Sequence, residues 1–154
     1  MKQNPLVLIS FFIVMILFYG CAGKHVKVQA DDSLALCSCF PLPNCVSSNA
    51  WLFYNNVSPF ELAVDRKTAW PVVKQAVADI PRAKIVEEDS RYIHAKCYSR
   101  VFHFVDNLEL LMHPDEDIIS VRSSSFIAIF DFGVNHWRVY KLRKQLIEKG
   151  VIKE

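Results

Sequence analysis

The chain has 154 residues, room for one domain and too little for two full-sized ones, and its 52% apolar and 12% aromatic content excludes a disordered chain. Its formal net charge is +2, or +1 once residues 1–20, whose only charge is Lys2, are set aside. So small a basic excess argues against a dedicated nucleic-acid binder, which needs a strongly positive surface to meet phosphates.

Met1-Lys2-Gln3-Asn4-Pro5 is a weakly basic start, and Leu6 to Tyr19 is apolar apart from Ser10. Small residues then surround Cys21 in Gly20-Cys21-Ala22-Gly23. Basic, apolar, small is the order of an export signal, whose apolar core spans about 7–15 residues. A spanning helix needs about 20. Lys24 and Lys27 also outnumber Lys2, the wrong charge bias for an anchor that holds the domain outside. Gly20-Cys21 resembles a bacterial lipoprotein box with Cys21 as the lipidated residue, although Phe18 and Tyr19 stand where a leucine and a small residue are usual. The other reading keeps residues 1–20 as an uncleaved anchor. Ala22, in place of an aspartate, favours the outer membrane if the cell has two. Residues 21–36 form a tether whose polar part, from residue 24, has no periodicity, and one globular domain occupies residues 37–150.

Cys37, Cys39, Cys45 and Cys97 follow the anchor, an even count that favours disulfides in an exported chain, with three pairings open. Cys39 and Cys45 bracket Phe40-Pro41-Leu42-Pro43-Asn44, a proline-constrained turn that brings their sulfurs within reach. Cys37 with Cys97 then follows by elimination. A zinc site fits poorly, because C-x-C-x5-C lacks the usual CxxC spacing and a nearby histidine.

The domain reads as α+β. Ala69, Val72, Val73, Ala76, Val77 and Ile80 recur at helical spacing over residues 66–80, which places Pro71 in a first turn. Ile85-Val86 opens a run of strands. Ile93, Ala95 and Cys97 alternate with polar residues over 91–98, and Phe102, Phe104, Leu108, Leu110 and Met112 share a parity with Asp106 over 102–112. His113-Pro114-Asp115-Glu116-Asp117 is a turn before a strand at 118–122. A last helix at 135–148 carries Val139, Leu142 and Leu146 on one stripe, with Gly150 past its end. The order α-β-β-β-β-α predicts an antiparallel meander of four or more strands with helices on one face.

Three blocks carry a family resemblance. Cys39-Phe-Pro-Leu-Pro-Asn-Cys45-Val-Ser-Ser48 resembles the C-P-x-S-P-N-C-V-S-S signature of the domain of unknown function 1499. Tyr92-Ile-His-Ala and Phe104-Val-Asp-Asn107 are similar to its Y-x-H-A and F-V-D-D elements. Val121-Arg-Ser-Ser-Ser125, with Asp131-Phe-Gly-Val-Asn135 and Arg138, resembles its V-R-S-x-S-R-x-G-x-S-D-x-G-x-N-R-x-R block. The resemblance implies an envelope location and no particular chemistry. The chain departs from the pattern at Phe126, Ala128, Phe130, His136 and Asn107, losing two positive charges and one negative one. Should the family's arginines hold an anion, this chain is expected to hold it less tightly or to hold something more apolar.

Asp106 lies on the apolar parity of its strand, so it needs a cation or several donors. Arg122 and Arg138 are the natural partners. One reading is a polar binding pocket of Asp106, Arg122, Ser123, Ser125, Asp131, Asn135 and Arg138. The other is a structural network pinning the last helix to the sheet, with Asn135 as its N-cap. A hydrolase would take Ser123, Ser124 or Ser125 as nucleophile, His94, His103 or His136 as base and Asp106 or Asp131 as orienter, but no G-x-S-x-G elbow supports it. Four glycines in the chain leave no phosphate-cradling loop, and histidine spacing offers no metal motif, so no catalytic residue, cofactor or metal is assigned. Trp51, Phe53 and Tyr54 read as core packing, a lid, or the wall of a ligand pocket. Arg138, Lys141, Arg143, Lys144 and Lys149 make the last helix basic, a solvated face or a contact to anionic lipid. The sequence thus favours a non-enzymatic envelope module that binds a small anionic or apolar ligand or a partner protein, with no nucleic acid involved. A hydrolase is the alternative.

Overall fold

The computed structural model describes residues 26–28, 34–39, 43–125 and 132–154. Cys21, Asp131 and the departures at Phe126, Ala128 and Phe130 lie outside them. No helix among the described residues is long and apolar enough to cross a membrane.

The architecture is α+β, as the periodicities predict. Strands β1 (Val26–Val28) and β2 (Leu34–Leu36) pair as a small antiparallel sheet. A six-stranded antiparallel sheet follows, from β3 (Cys45–Ser47), β4 (Phe60–Glu61), β5 (Ala83–Glu88), β6 (Tyr92–Tyr98), β7 (Val105–His113) and β8 (Ile118–Ser125). Its order is β3-β8-β7-β6-β5, with β4 also paired to β8. Helix α1 (Arg66–Ala78) precedes the β5–β8 meander and α2 (Val134–Glu148) follows it.

Both helices pack on one face. Ala69, Val73, Ala76 and Val77 of α1 and Val139, Leu142 and Leu146 of α2 bury their stripes against Ile93, Ala95, Leu108, Leu110, Ile119 and Val121. Each of the valines, leucines and isoleucines among them contributes about 1.5–3 kcal/mol on burial. The other face is covered in part by β2. Leu36 packs on Tyr92 and Leu111, and Asn49 Nδ2 donates to the Leu36 carbonyl at 3.2 Å. The segment read as an aperiodic tether therefore contains a strand pair, and its second strand docks on the domain. The domain also runs past residue 150: Val151 and Ile152 are buried, and Ile152 bridges to Leu62.

Three local readings need correction. Pro71 sits in the second turn of α1, because Asp65 starts the helix by accepting from the amides of Lys67 and Thr68 at 3.0 and 3.1 Å. The strand read over 102–112 begins at Val105, so Phe102 and Phe104 stack on each other in the exposed loop before it. Trp51, Phe53 and Tyr54 are exposed, so none is core.

Cys39 and Cys45 form a disulfide, with Cα atoms 5.6 Å apart. Cys97 is a free, buried thiol, so the pairing of Cys37 with Cys97 does not form. The reason is topological: Cys97 faces the helices from β6, opposite Asp106 of β7. Cys37 is disulfide-bonded as well.

Candidate functional site

The residues read as one pocket lie on two faces of the sheet. In the β7–β8 hairpin Asp106 faces Ser125, Leu108 faces Ser123 and Glu109 faces Arg122. Side chains alternate along a strand, so Asp106, Ser123 and Ser125 point towards the helices and Arg122 points away.

On the helix face, Asn135 is fully buried at the start of α2. Its Nδ2 donates to the Asn44 carbonyl at 2.9 Å and to Ser125 Oγ at 3.1 Å, and its Oδ1 accepts from Ser123 Oγ at 2.6 Å. It is not the N-cap; Gly133, at φ +78°, holds that position without a side-chain bond. The left-handed φ suits glycine there. Asn135 instead ties the first turn of α2 to β8 and to the segment before β3. One turn on, Arg138 donates to Asp106 Oδ2 at 2.5 Å, to Ser123 Oγ at 2.7 Å and to Asn135 Oδ1 at 2.5 Å. Arg138 is thus the partner of Asp106, and the pair pins α2 to the sheet.

On the opposite face, Arg122 Nη1 donates to Glu109 Oε2 at 2.6 Å, and Tyr92 Oη donates to Glu109 Oε1 at 2.9 Å. Glu109 is fully buried and the Arg122 side chain is 8% exposed. Burial and the Glu109 charge both push the Tyr92 phenol far above its ordinary range, so it stays a donor. This cluster lines neither of the two cavities described below. It is a buried ion pair, and Glu109 and Tyr92 were not among the candidate site residues read from the sequence.

The helix-face cluster is different. The Asp106 and Arg138 side chains, 10% and 11% exposed, stand at the wall of a cavity of about 620 Å³ between α2, the loop that follows α1, the end of β6 and the start of β7. Ile80, Arg82, Cys97, Trp137 and Lys141 line the rest of it. Burial pushes the Cys97 thiol up, with Arg138 pulling against it. A second cavity, of about 750 Å³, lies on the other flank of α2, between Trp137, Tyr140 and Arg143 and the segments around Pro59 and Lys153. There Arg143 donates to the carbonyls of Ser58 and Pro59 and lies 4.6 Å over the Phe60 ring, so its charge is engaged within the fold.

The hydrolase constellation is not assembled among the described residues. Ser123 Oγ is engaged by Asn135 and Arg138. His94 bonds Asn107 from the far face of the sheet, and His103 and His136 are exposed. The closest serine–histidine contact in that region is His113 Nε2 with Ser120 Oγ at 2.9 Å, also on the far face.

A family model described as a protein of unknown function, DUF1499, matches residues 35–146. No curated protein and no solved structure matches the chain.

Proposed function

The chain belongs to the DUF1499 family, and we propose that it is an exported module of the cell envelope that binds a small ligand without transforming it. The observation that carries the binding reading is the cavity of about 620 Å³ with the Asp106–Arg138 pair on its wall. Its size lies within the 300–1,000 Å³ range of small-molecule sites, and it combines apolar surface from Ile80, Trp137 and Leu142 with a few convergent polar groups. The thiol on that wall, Cys97, is held protonated by burial and is a poor nucleophile. The export reading rests on residues 1–20, and the Cys39–Cys45 disulfide supports it, because such bonds persist in oxidising compartments.

A thermal-shift screen of small metabolites tests the binding reading. A ligand present at 100 times its Kd adds about 2.7 kcal/mol, or about 5–10 °C for a domain of this size. Val134→Trp fills the cavity mouth from a half-exposed position without stranding a charge. Hits that raise the melting temperature of the wild type and not of Val134→Trp support the reading. No hits, or equal shifts in both proteins, refute it.

A further inference from the structure

The carboxylate of Asp106 is only half used. Arg138 holds Oδ2, whereas Oδ1 has no hydrogen-bond partner among the described residues, although the side chain is nine-tenths buried. Oδ1 belongs to a group that lines the 620 Å³ cavity. A carboxylate can only accept, so whatever meets Oδ1 must donate. Arg138 already neutralises Asp106, and an ammonium would bring a second cation against one carboxylate. A neutral hydroxyl is the better match.

The rim has the opposite character. Glu148 is held by Lys144 at 3.8 Å, and Asp79 accepts from Gln75 Nε2 at 2.7 Å. Arg82 gives its Nε to the Tyr98 carbonyl, and Lys141 lies 4.7 Å over the Trp137 ring; neither has a carboxylate partner among the described residues. Asp79 keeps its charge, since Gln75 is neutral, so Arg82 and Lys141 leave one positive charge in excess at the mouth of a cavity whose wall offers an unmatched acceptor. Between them lie the apolar surfaces of Ile80, Trp137 and Leu142.

From this arrangement, and resting on the binding reading above, we infer that the cavity takes a small hydroxylated anion, such as a sugar acid or hydroxy acid. A ligand hydroxyl donates to Asp106 Oδ1, the carbon body lies along Trp137, and the negative charge meets Arg82 and Lys141. Trp137 is 58% exposed, with Lys141 over its ring and Tyr140 stacked on it, so the ligand carbons meet the rest of its apolar surface.

The test uses D-glucuronate as probe, with glucose (hydroxyls without charge) and acetate (charge without hydroxyls) as comparators. Affinity is read from amide shifts of Cys97, Asp106 and Arg138 in ¹⁵N-labelled protein. Glucuronate is expected to bind at least about tenfold more tightly than either comparator, the gain of one charge-assisted hydrogen bond. Arg82→Ala/Lys141→Ala, at exposed positions, should weaken glucuronate about tenfold and leave the melting temperature unchanged. Glucuronate bound no tighter than acetate and glucose, or bound equally by the double variant, overturns the inference. If other fragments shift these amides and glucuronate does not, the hydroxylated anion is wrong and the ligand site stands. If nothing shifts them, both fall.

Discussion

Replacing Arg122 by alanine should cost the protein about 3–5 kcal/mol, since removing one partner of a buried pair strands the other charge. Glu109 has no exposed surface, Arg122 meets it at 2.6 Å, and the Tyr92 hydroxyl, which donates to the same carboxylate at 2.9 Å, cannot replace a cation. For a domain near 150 residues each kcal/mol moves the melting temperature by about 2–4 °C, so a fall of about 6–20 °C is expected. Because this cluster lines neither of the two cavities beside α2, the loss should not depend on a ligand bound in them. Arg122→Met/Glu109→Leu should recover most of the stability, as apolar replacement of a whole buried pair is commonly neutral or better. Urea unfolding of the three proteins measures both quantities. An Arg122→Ala protein within 1 kcal/mol of wild type would refute the buried-pair description, as would a double variant no better than the single one.

Tyr92→Phe should cost about 1.5–3 kcal/mol, the worth of a hydrogen bond to a charged group, with Glu109 keeping its arginine; urea unfolding checks it. The Thr68 hydroxyl and amide, then the Lys67 amide, hold the Asp65 carboxyl below its ordinary value. Its helix-starting contribution is therefore complete above about pH 4 and lost as pH falls through the lowered value, so the stability gap between wild type and Asp65→Ala should close on acidification, as read by melting at pH 7 and pH 2. Cys97, held protonated by burial, should react with iodoacetamide at pH 8 at least about ten times more slowly in native than in unfolded protein; equal rates would place it at the surface. Mature protein isolated from the envelope is expected to lack residues 1–20, as read by N-terminal sequencing, and a mature chain that still carries them would contradict a cleaved export signal.

The elements of this fold were legible because each buries one clean face. The helical stripe of Val139, Leu142 and Leu146 and the alternation of Ile93, Ala95 and Cys97 were read correctly for that reason. What escaped was which face each polar residue takes. The turn at 114–117 held the information: His113 pairs with Ile118, so four steps out along each strand bring Glu109 to Arg122, and three more bring Asp106 to Ser125. Parity then separates Asp106 from Arg122. Glu109 was overlooked because a glutamate alternating with leucines reads as a solvated position, and nothing local says that β2 will lie over this face. Asn135 was taken for a cap from its place at the helix start. Its burial depends on Asn44 and Ser125, which lie 91 and 10 residues away. The cavities lie between elements distant in sequence, so no local pattern announces them.

The central claim is that the wall formed by Asp106 and Arg138 is a binding surface as well as a pin for α2. Amide chemical-shift mapping of the ¹⁵N-labelled protein against a fragment library tests it most directly. The account predicts perturbations gathered at Cys97, Asp106, Trp137 and Arg138, and absent in Val134→Trp. Perturbations gathered instead around Glu109 and Arg122, or in the cleft of Pro59, Arg143 and Lys153, would contradict it, as would a library that leaves every amide of the cavity unmoved.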